Sequence, residues 1–346
     1  MNEALQPHCP ECDGTVEPAP TFDRRNFIRV LGGGVAALAA TATGAPRLRA
    51  DQAPAPKVKP AETLIHELYA SLSETQKNTV VLPWDHGRGA IPSRLGMYNS
   101  PLLNQSIGQI YTKPQQELIR NILRSILASD EAFRRISRNN TWDQRGGFEG
   151  CGCHLFGEPV PGKRFAWLIT GHHLTLRCDP DLKDGIAWGG PMYYGHSAGG
   201  YSSANVYNYQ TQSVLKVYRA LDEKQRAKAL LTGSPGEQAA SVRFRKPEEA
   251  KPGIAAAELN AEQKALVEQV MRDILAPYRK EDGDEVMAII KNTGGLEKIH
   301  LAFYRDRGAT DNERWHFWRL EGPGFVWNYR VLPHVHCYVN IAGGVG

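Results

Sequence analysis

The sequence lacks any apolar run close to the roughly 20 residues that a membrane-spanning helix needs, and its charge is nearly balanced. The chain of 346 residues carries a formal net charge of +4, with 23% charged and 41% hydrophobic residues. This composition is typical of a globular protein, and the mild charge argues against a dedicated nucleic-acid face. We therefore predict a soluble mature protein with a sizeable core, no nucleic-acid partner and no stable membrane span.

The common catalytic fingerprints are also absent. The sequence has no nucleophile elbow, no phosphate-binding glycine loop, no dinucleotide fingerprint and no His-Glu-x-x-His pair. His66-Glu67 comes nearest to the last of these, but position 70 holds Ala instead of a second His. No motif therefore names a reaction, and a functional site has to be sought among residues that are separated in sequence.

The first fifty residues have the order of an export signal. Arg24-Arg25 is followed by Phe27, then by a Gly/Ala-rich run to about position 43, and then by two further arginines. This order resembles the twin-arginine signal, although Asp23 stands where that signal usually has Ser or Thr. The twin-arginine translocase is therefore the expected export partner, and the mature protein is expected to be periplasmic or secreted.

The predicted organisation has three parts: a leader over residues 1–50, a Pro/Ala/Lys-rich linker over 51–60 and one domain over 61–346. The twin-arginine route moves folded proteins, and a common reason to fold before export is to acquire a cofactor inside the cell. This route therefore favours a bound metal. The alternative is that the domain folds too quickly to be threaded through a translocon.

Four helix starts of the predicted domain share one chemistry, in which a capping side chain precedes a Gln by three residues, as in a capping box. They are Ser73/Gln76, Thr112/Gln115, Asp222/Gln225 and Asn260/Gln263. In three of them a Leu precedes the cap and a Lys or Arg follows the Gln. The similarity indicates either a weak internal repeat or one local solution reached several times.

Period-two alternation of apolar and polar residues predicts a long strand over 164–177 and three or four more strands after position 296. The glycine-rich segment 189–200 and the charged segment 233–253 are predicted to be loops. Consecutive short strands favour an antiparallel sheet. The predicted fold class is α+β, with helices packed on a largely antiparallel sheet formed mainly by the C-terminal strands.

The last predicted strand carries the clearest sign of a metal site. Alternate residues of a strand point to the same face, so His334 and His336 share a face at a spacing of about 6.6 Å. That separation suits two ligands of one ion, with Zn or Cu as candidates. The alternative is the polar face of an ordinary half-buried strand.

A second histidine pair, His172-His173, lies within the predicted strand over 164–177. Adjacent strand residues face opposite sides, so only one of the two can join a given site. The apolar neighbours of His172 place it in the core, whereas His173 is expected to reach a cleft.

The cysteines of the predicted domain allow two interpretations. Cys151, Cys153, Cys178 and Cys337 could form disulfides in an oxidising compartment. Alternatively, Cys151 and Cys153 could join His154 in a soft-metal site for Cu or Zn. The spacing of Cys151-Gly152-Cys153-His154 excludes a c-type haem site.

Several short motifs occur in an order that resembles the bacterial DUF3500 family, which is of unknown function. They are Phe156-Gly157-x-Pro159, Trp167, Gly171-His172-His173-Leu174, Arg319-Leu320-Glu321-Gly322-Pro323 and His334-Val335-His336. The resemblance covers most of the chain from about Glu62. Two departures are Asn328, where the family has an acidic residue, and the glycine-rich C-terminal end, where it has a different tail.

Three functions remain open from the sequence. A metal-dependent hydrolase or oxidoreductase would use His173, His334 and His336 as ligands, with Glu321 or Asp179 as a base. A loop containing Tyr193, Tyr194, His196 and Tyr201 would line its open coordination position. A non-catalytic metal- or ligand-binding protein would use the same histidines with Cys151 and Cys153. In a scaffold protein, the histidines would serve only as hydrogen-bonded core residues.

Overall fold

The computed structural model describes residues 60–87, 92–180, 191–237, 242–246, 248–305 and 314–342. The predicted leader lies outside the described residues, as does the predicted linker except for Pro60. No helix of the described part is both long and apolar enough to cross a membrane.

The described residues form short helices interspersed with strands. The α-helices are α1 (Ala61–Ser71), α2 (Glu74–Val80), α3 (Ile107–Ile110), α4 (Lys113–Ile126), α5 (Asp130–Ile136), α6 (Asn208–Ala220), α7 (Glu223–Ala229), α8 (Ala261–Leu275) and α9 (Lys280–Asn292). The strands are β1 (Val81–Leu82), β2 (Gly152–Gly157), β3 (Phe165–Gly171), β4 (Leu174–Cys178), β5 (Met192–Gly199), β6 (Leu230–Leu231), β7 (Ile254–Ala255), β8 (His300–Arg305), β9 (Trp315–Gly322), β10 (Phe325–Arg330) and β11 (His334–Ile341).

These strands form one sheet in the order β1-β2-β3-β4-β5-β11-β10-β9-β8-β6, with β7 beside β8. The pairings β1/β2 and β6/β8 are parallel, and the other pairings are antiparallel. The predicted α+β class and largely antiparallel sheet are confirmed. The C-terminal strands β8–β11 form one half of the sheet, and β2–β5 form the other.

One face of the sheet joins the helices in the main hydrophobic core, which includes Trp318, Trp327 and Val339. Helix α4 shows how the sequence produces this packing, because Ile119, Ile122, Leu123 and Ile126 recur at intervals of three and four residues and are buried. Fully burying such a side chain stabilises the fold by about 1.5–3 kcal/mol. This layer fixes the strands that carry the candidate site.

The opposite face of the sheet carries alternate polar residues of the same strands, and it is also buried. A smaller apolar cluster there joins Met97 and Val242 to the sheet residues Tyr193, Val326 and Tyr338. Buried polar groups are costly unless they have hydrogen-bonding partners. The polar residues of this face are therefore expected to form connected networks, and the candidate histidines belong to one of them.

All four predicted capping boxes are confirmed. The glutamines also pair between helix starts, because Gln76 and Gln115 exchange side-chain hydrogen bonds of 2.8 and 3.1 Å. Gln225 and Gln263 form the same reciprocal pair at 3.1 and 2.7 Å. Each pair of glutamines connects the first turns of two helices: α2 with α4 in the first case, and α7 with α8 in the second.

These matching contacts belong to a repeat of the whole fold. Apart from α3 and β7, the order α1-α2-β1-α4-α5-β2-β3-β4-β5 recurs as α6-α7-β6-α8-α9-β8-β9-β10-β11, and the two series occupy mirrored places in the sheet. Trp167 and Trp318 occupy corresponding positions in β3 and β9, as do Gly171 and Gly322 at the ends of these strands. Of the two interpretations of the helix starts, the structure favours the internal repeat.

Two predictions of local structure were wrong. The segment 164–177 is two strands, because the chain reverses at His172-His173 and Gly171 pairs with Leu174. The segment predicted as a loop over 189–200 contains β5, which lies between β4 and β11 in the sheet. Alternation could not locate the reversal, because a two-residue turn without Gly, Pro, Asn or Asp lacks the usual turn signal.

Candidate metal centre

Three histidine side chains converge where β11 begins beside the turn between β3 and β4. Nε2 of His334 lies 3.1 Å from Nε2 of His173 and 2.9 Å from Nε2 of His336. His173 and His336 are buried, with 0% and 2% of their surface exposed, whereas His334 is partly exposed. This group could hold a metal ion, and it is the group of this kind found in the described residues.

Local backbone geometry brings the three rings together. His173 has a positive φ of 53°, which turns its ring toward β5 and β11. Gly195 of β5 lies opposite His336, and a Cβ there would lie 3.3 Å from both the His173 and the His336 rings. The same Cβ would lie 2.3 Å from the carbonyl oxygen of Val335. Glycine at this position therefore leaves room for the histidines of two strands.

Carboxylates bind the outer nitrogens of the two most buried rings. Nδ1 of His173 lies 3.0 Å from Oδ2 of Asp143, and Nδ1 of His336 lies 2.6 Å from Oε1 of Glu237. A carboxylate accepts a hydrogen bond, so each Nδ1 carries the proton and each Nε2 is an acceptor nitrogen directed toward His334. Histidine ligands of metals usually have such a carboxylate partner, which fixes the ring and raises its basicity.

Asp143 ends a loop of unusual backbone geometry. Arg138, Asn139, Asn140, Trp142 and Asp143 all have φ between 49° and 67°, which is uncommon for residues other than glycine. Clustered strain of this kind is typical of functional sites, where surrounding contacts maintain it. This loop places the Asp143 carboxylate within hydrogen-bonding distance of His173.

The ionisation of Asp143 is set by opposing effects. Burial raises its pKa, but the hydrogen bond from His173, the nearby Arg138 guanidinium and the backbone N–H of Ser197 together hold the pKa below its usual range. Nε of Arg138 lies 3.7 Å from Oδ2 of Asp143, and the N–H of Ser197 donates to the same oxygen at 2.8 Å. Asp143 is therefore an anion at neutral pH.

Glu237 connects His336 to two further groups. Its carboxylate accepts hydrogen bonds from Tyr338 Oη at 2.9 Å and from Nη1 of Arg330 at 2.5 Å. Burial raises the pKa of Glu237, against the lowering effects of Arg330 and Tyr338. Tyr338 also stacks on Tyr193 with 4.8 Å between ring centroids, which closes this side of the histidine cluster.

Burial keeps the histidines neutral. It lowers the pKa of His334 to about 4 and holds the pKa values of His173 and His336 well below the usual value. Neutral imidazoles have the lone pairs that a metal needs. Three nitrogens at about 2.05 Å from a tetrahedral ion would be about 3.3 Å apart. The two separations from Nε2 of His334, 3.1 and 2.9 Å, are within a few tenths of an ångström of that value, and all three ligand atoms lie within 4.8 Å of one another.

Arg330 of β10 lies beside the same nitrogens. Its Nη2 is 2.6 Å from Nε2 of His336 and 3.1 Å from Nε2 of His334. Since guanidinium only donates, both imidazole nitrogens act as acceptors, in agreement with the tautomer that Glu237 imposes on His336. The centre thus combines three nitrogen donors with an adjacent positive charge.

Some of the residues that were predicted to line the open coordination position lie at the histidine cluster, and the others lie elsewhere in the fold. His172 is partly exposed rather than a core residue, and its ring packs on that of His173 at 3.9 Å between centroids. His196 lies 3.8 Å from Asp143, and Tyr193 packs against His336. Tyr194 points to the helical face and donates to Ile274, and Tyr201 bonds Trp315. The predicted tyrosine-lined loop therefore supplies Tyr193 and His196 to the site.

The structure supports neither of the two interpretations of the cysteines. Each cysteine in the described residues is a free thiol, so the disulfide alternative was wrong for Cys151, Cys153, Cys178 and Cys337. Burial raises the pKa of Cys151, Cys153 and Cys337 to about 12 and also raises that of Cys178, so the thiolate form is disfavoured. These cysteines behave as small core residues.

The soft-metal alternative also fails on geometry. Cys153 and His154 are adjacent in β2 and therefore face opposite sides of the sheet. Nε2 of His154 is engaged by Gln105 at 2.9 Å. The described metal-binding group contains neither residue.

The two candidate bases lie away from the histidines. Asp179 follows β4 while His173 precedes it, which separates their backbones by about 20 Å along the strand. Glu321 lies two strands from β11 at the level of Asn340, and its carboxylate is paired with Arg319 and Arg245. Neither position suits proton transfer at the centre.

Four residues of the site, Asp143, Glu237, Arg330 and Gly195, were not predicted from the sequence. Asp143 and Glu237 are single acidic residues in segments without periodicity, and Glu237 lies in the stretch interpreted as a solvated loop. Arg330 and Gly195 are positioned by strand register, which a single sequence does not specify. The adjacent Asn139-Asn140 was the one local signal, because Asn tolerates positive φ.

A family model described as "Protein of unknown function (DUF3500)" matches residues 54–340, so the chain belongs to this family. No curated protein matches the chain, and no solved structure does. The family assignment confirms the resemblance found in the sequence and leaves the function to be inferred from the site.

Proposed function

We propose that this protein is an exported metalloenzyme whose single metal ion is held by His173, His334 and His336. The observation that carries the proposal is the pair of carboxylate–histidine contacts, Asp143 to His173 and Glu237 to His336. They fix the tautomers of His173 and His336, so that Nε2 of each ring is an acceptor directed toward Nε2 of His334. A metal ion bound by the three nitrogens satisfies all three lone pairs at once.

The competing scaffold role is less favourable energetically. With Nδ1 of His173 and His336 protonated, the Nε2 lone pairs of these two rings face Nε2 of His334, and facing lone pairs repel one another. Arg330 Nη2 lies against two of the three nitrogens, whereas the other nitrogen, on His173, faces His334. The arrangement is therefore better suited to a cation than to a simple hydrogen-bonded core.

The ligand set suggests the chemistry. Three imidazoles suit Zn or Cu, and a three-histidine zinc site leaves a fourth position for water. A zinc ion held there would lower the pKa of that water to about 7 and would supply hydroxide near neutral pH. We therefore propose hydrolysis as the reaction, while copper in the same site would instead support an oxidoreductase.

The open position would face the partly exposed side of the cluster. His334, His172 and His196 are all partly exposed and surround this side, whereas His173 and His336 close the inner side. A substrate would approach past these residues. A second candidate is a non-catalytic metal-binding protein, favoured by the contact of Arg330 Nη2 with Nε2 of His336 at 2.6 Å, which places a protein side chain directly beside the ligands.

Export is the second part of the proposal. The paired Arg24-Arg25 and the following Gly/Ala-rich run support loading of the metal in the cytoplasm and passage through the twin-arginine translocase. We expect an R24K/R25K variant to stay in the cytoplasm with its leader attached. An equally exported variant would contradict this route.

The enzymatic proposal is tested with protein loaded separately with Zn and with Cu and assayed against a panel of activated esters and phosphoesters. Hydrolysis by the zinc form, rising with one ionisation near pH 7 and lost in His336→Ala, would support it. Tight zinc binding without turnover on any member of the panel would favour the non-catalytic alternative. Turnover only with copper and an electron acceptor would indicate an oxidoreductase.

A further inference from the structure

We propose that the open side of the metal binds an oxyanion beside the water, such as the carboxylate or phosphate group of a substrate, held jointly by the metal and Arg330; a three-histidine site can expand from four to five ligands to accept it. This inference rests on the proposed metal centre. It assigns the substrate class that the centre accepts and gives Arg330 the role of anion anchor. Two independent observations, one of charge and one of hydrogen bonding, lead to it.

Among the described residues, the charged groups that contact or neighbour the histidines balance before a metal is added. Asp143 and Glu237 contribute two negative charges, and Arg138 and Arg330 contribute two positive charges. The side chains of both arginines are 0% exposed, and those of the two acids are 6% and 13% exposed. A divalent ion would therefore leave two positive charges uncompensated in a buried site. An anionic ligand offsets this excess, whereas a neutral ligand does not.

The hydrogen bonds of Arg330 point to the same ligand. Its Nη2 donates to Nε2 of His336 and of His334, and a bound metal would take both of these lone pairs. Two N–H···N hydrogen bonds would then have to be replaced. An oxygen atom on the metal, adjacent to the guanidinium, is the acceptor that replaces them.

The distances permit such a bridge. Nη2 lies 2.6 Å from Nε2 of His336, and a metal would lie about 2.05 Å from that nitrogen, so metal and Nη2 would be at most about 4.7 Å apart. An oxygen about 2.0 Å from the metal and about 2.8 Å from Nη2 spans that gap. A single oxyanion can therefore contact both.

The guanidinium is held in place for this role. Nη1 of Arg330 is paired with Glu237, Nε donates to the carbonyl of His334 at 3.3 Å, and the residue is directly opposite His336 in the sheet. A fixed planar fork recognises the oxygens of carboxylate or phosphate better than a flexible ammonium does. Arg330 would thus position the anion without further rearrangement.

The test measures binding of small anions to the full mature protein loaded with Co²⁺, whose visible spectrum reports changes at the open position. Sodium acetate and inorganic phosphate serve as oxyanion probes, and imidazole serves as a neutral ligand of the same metal. Arg330→Gln and Arg330→Lys are compared with Arg319→Lys. Arg319 is the matched control, because it is buried on the same sheet face and paired with Glu321 but lies on β9.

We expect at least one oxyanion to bind the wild type and to bind Arg330→Gln about 10- to 100-fold more weakly, the range for a lost charge-assisted hydrogen bond. Imidazole affinity should change less than about threefold, and Arg319→Lys should leave both affinities unchanged. Arg330→Lys should fall between wild type and Arg330→Gln. Stronger binding of phosphate would indicate phosphorylated substrates, and stronger binding of acetate would indicate carboxylates.

Two results would overturn the inference while leaving the metal centre in place. One is a cobalt-loaded wild type that binds imidazole but neither oxyanion, which does not depend on any variant folding correctly. The other is an oxyanion affinity that is equal in wild type and a folded Arg330→Gln. A wild type that binds no metal would instead contradict the proposed function, and the anion site would fall with it.

Discussion

The carboxylate of Asp143 is the most informative single group to change. Both the His173 Nδ1–H and the Ser197 N–H donate to the same oxygen, Oδ2, at 3.0 and 2.8 Å. In an Asp143→Asn variant the amide oxygen can take the place of Oδ2 and keep both hydrogen bonds. The substitution therefore removes the negative charge while leaving the geometry nearly intact.

We expect Asp143→Asn to weaken zinc binding by about 10- to 100-fold, which corresponds to about 1.4–2.8 kcal/mol. The physical reason is that a charged acceptor raises the basicity of the His173 lone pair more than a neutral amide does. The variant also leaves the buried Arg138 without its nearest anion, so unfolding is measured in parallel. Competition with a chelator of known zinc affinity gives the change directly.

The matched control is Asp179→Asn. Asp179 is also buried, and it lies 3.9 Å from the guanidinium of Arg94 at the far end of β4 from His173. Its substitution should destabilise the fold without changing zinc affinity by more than about twofold. Equal zinc affinity in wild type and a folded Asp143→Asn would refute the assignment of Asp143 as an outer partner of the metal ligand.

Three further substitutions test other parts of the structure. Gly195→Ala should abolish metal binding and lower the melting temperature, because its Cβ would lie 2.3 Å from the Val335 carbonyl; unchanged metal content would contradict the close packing. Gln115→Ala should cost about 1–3 kcal/mol of unfolding free energy in denaturant titrations, because the Gln115 amide bonds the Ser71 carbonyl and Gln76; a negligible cost would contradict the pairing. Burial lowers the pKa of His154 to about 4 in the folded protein, whereas the same histidine in the unfolded chain has a pKa near 6.5. Between these pH values the unfolded chain therefore binds more protons than the folded protein. Stability should therefore fall as pH drops from about 6.5 to about 4, by up to about 3 kcal/mol, and a His154→Gln variant showing the same slope would exclude this source.

The sequence was informative wherever structure depends on neighbouring residues. The capping boxes at Gln76, Gln115, Gln225 and Gln263 follow from a three-residue spacing, and all four are present. Their pairing across the helix starts was not predicted, because it depends on the packing of helices that are distant in sequence. The same pairing turns an ambiguous sequence similarity into evidence for a repeated fold.

The candidate site was partly predicted for the same reason. The shared face of His334 and His336 follows from strand alternation, and His173 was selected from its pair by the same rule. The structure does bring His173 to the site, but for a different reason. His173 lies in a turn with positive φ and not in the single long strand that the rule assumed. Glu237 and Arg330 could not be predicted, because their places depend on loop path and strand register.

The repeat also clarifies why the centre occurs once. The turn that carries His173 corresponds to the turn between β9 and β10, where Gly324 occupies the equivalent position. The turn between β9 and β10, which is Pro323-Gly324, therefore contains no histidine. The two halves share a fold, while the ligands come from the first half through His173 and from the second half through His334 and His336.

The central claim is that three histidines hold one metal ion. Elemental analysis of the exported mature protein, beside a His334→Ala/His336→Ala double variant prepared in the same way, tests it most directly. We predict close to one equivalent of Zn or Cu in the wild type and almost none in a folded double variant. A metal-free wild type that takes up neither ion on dialysis, with stability equal to that of the variant, would contradict the account.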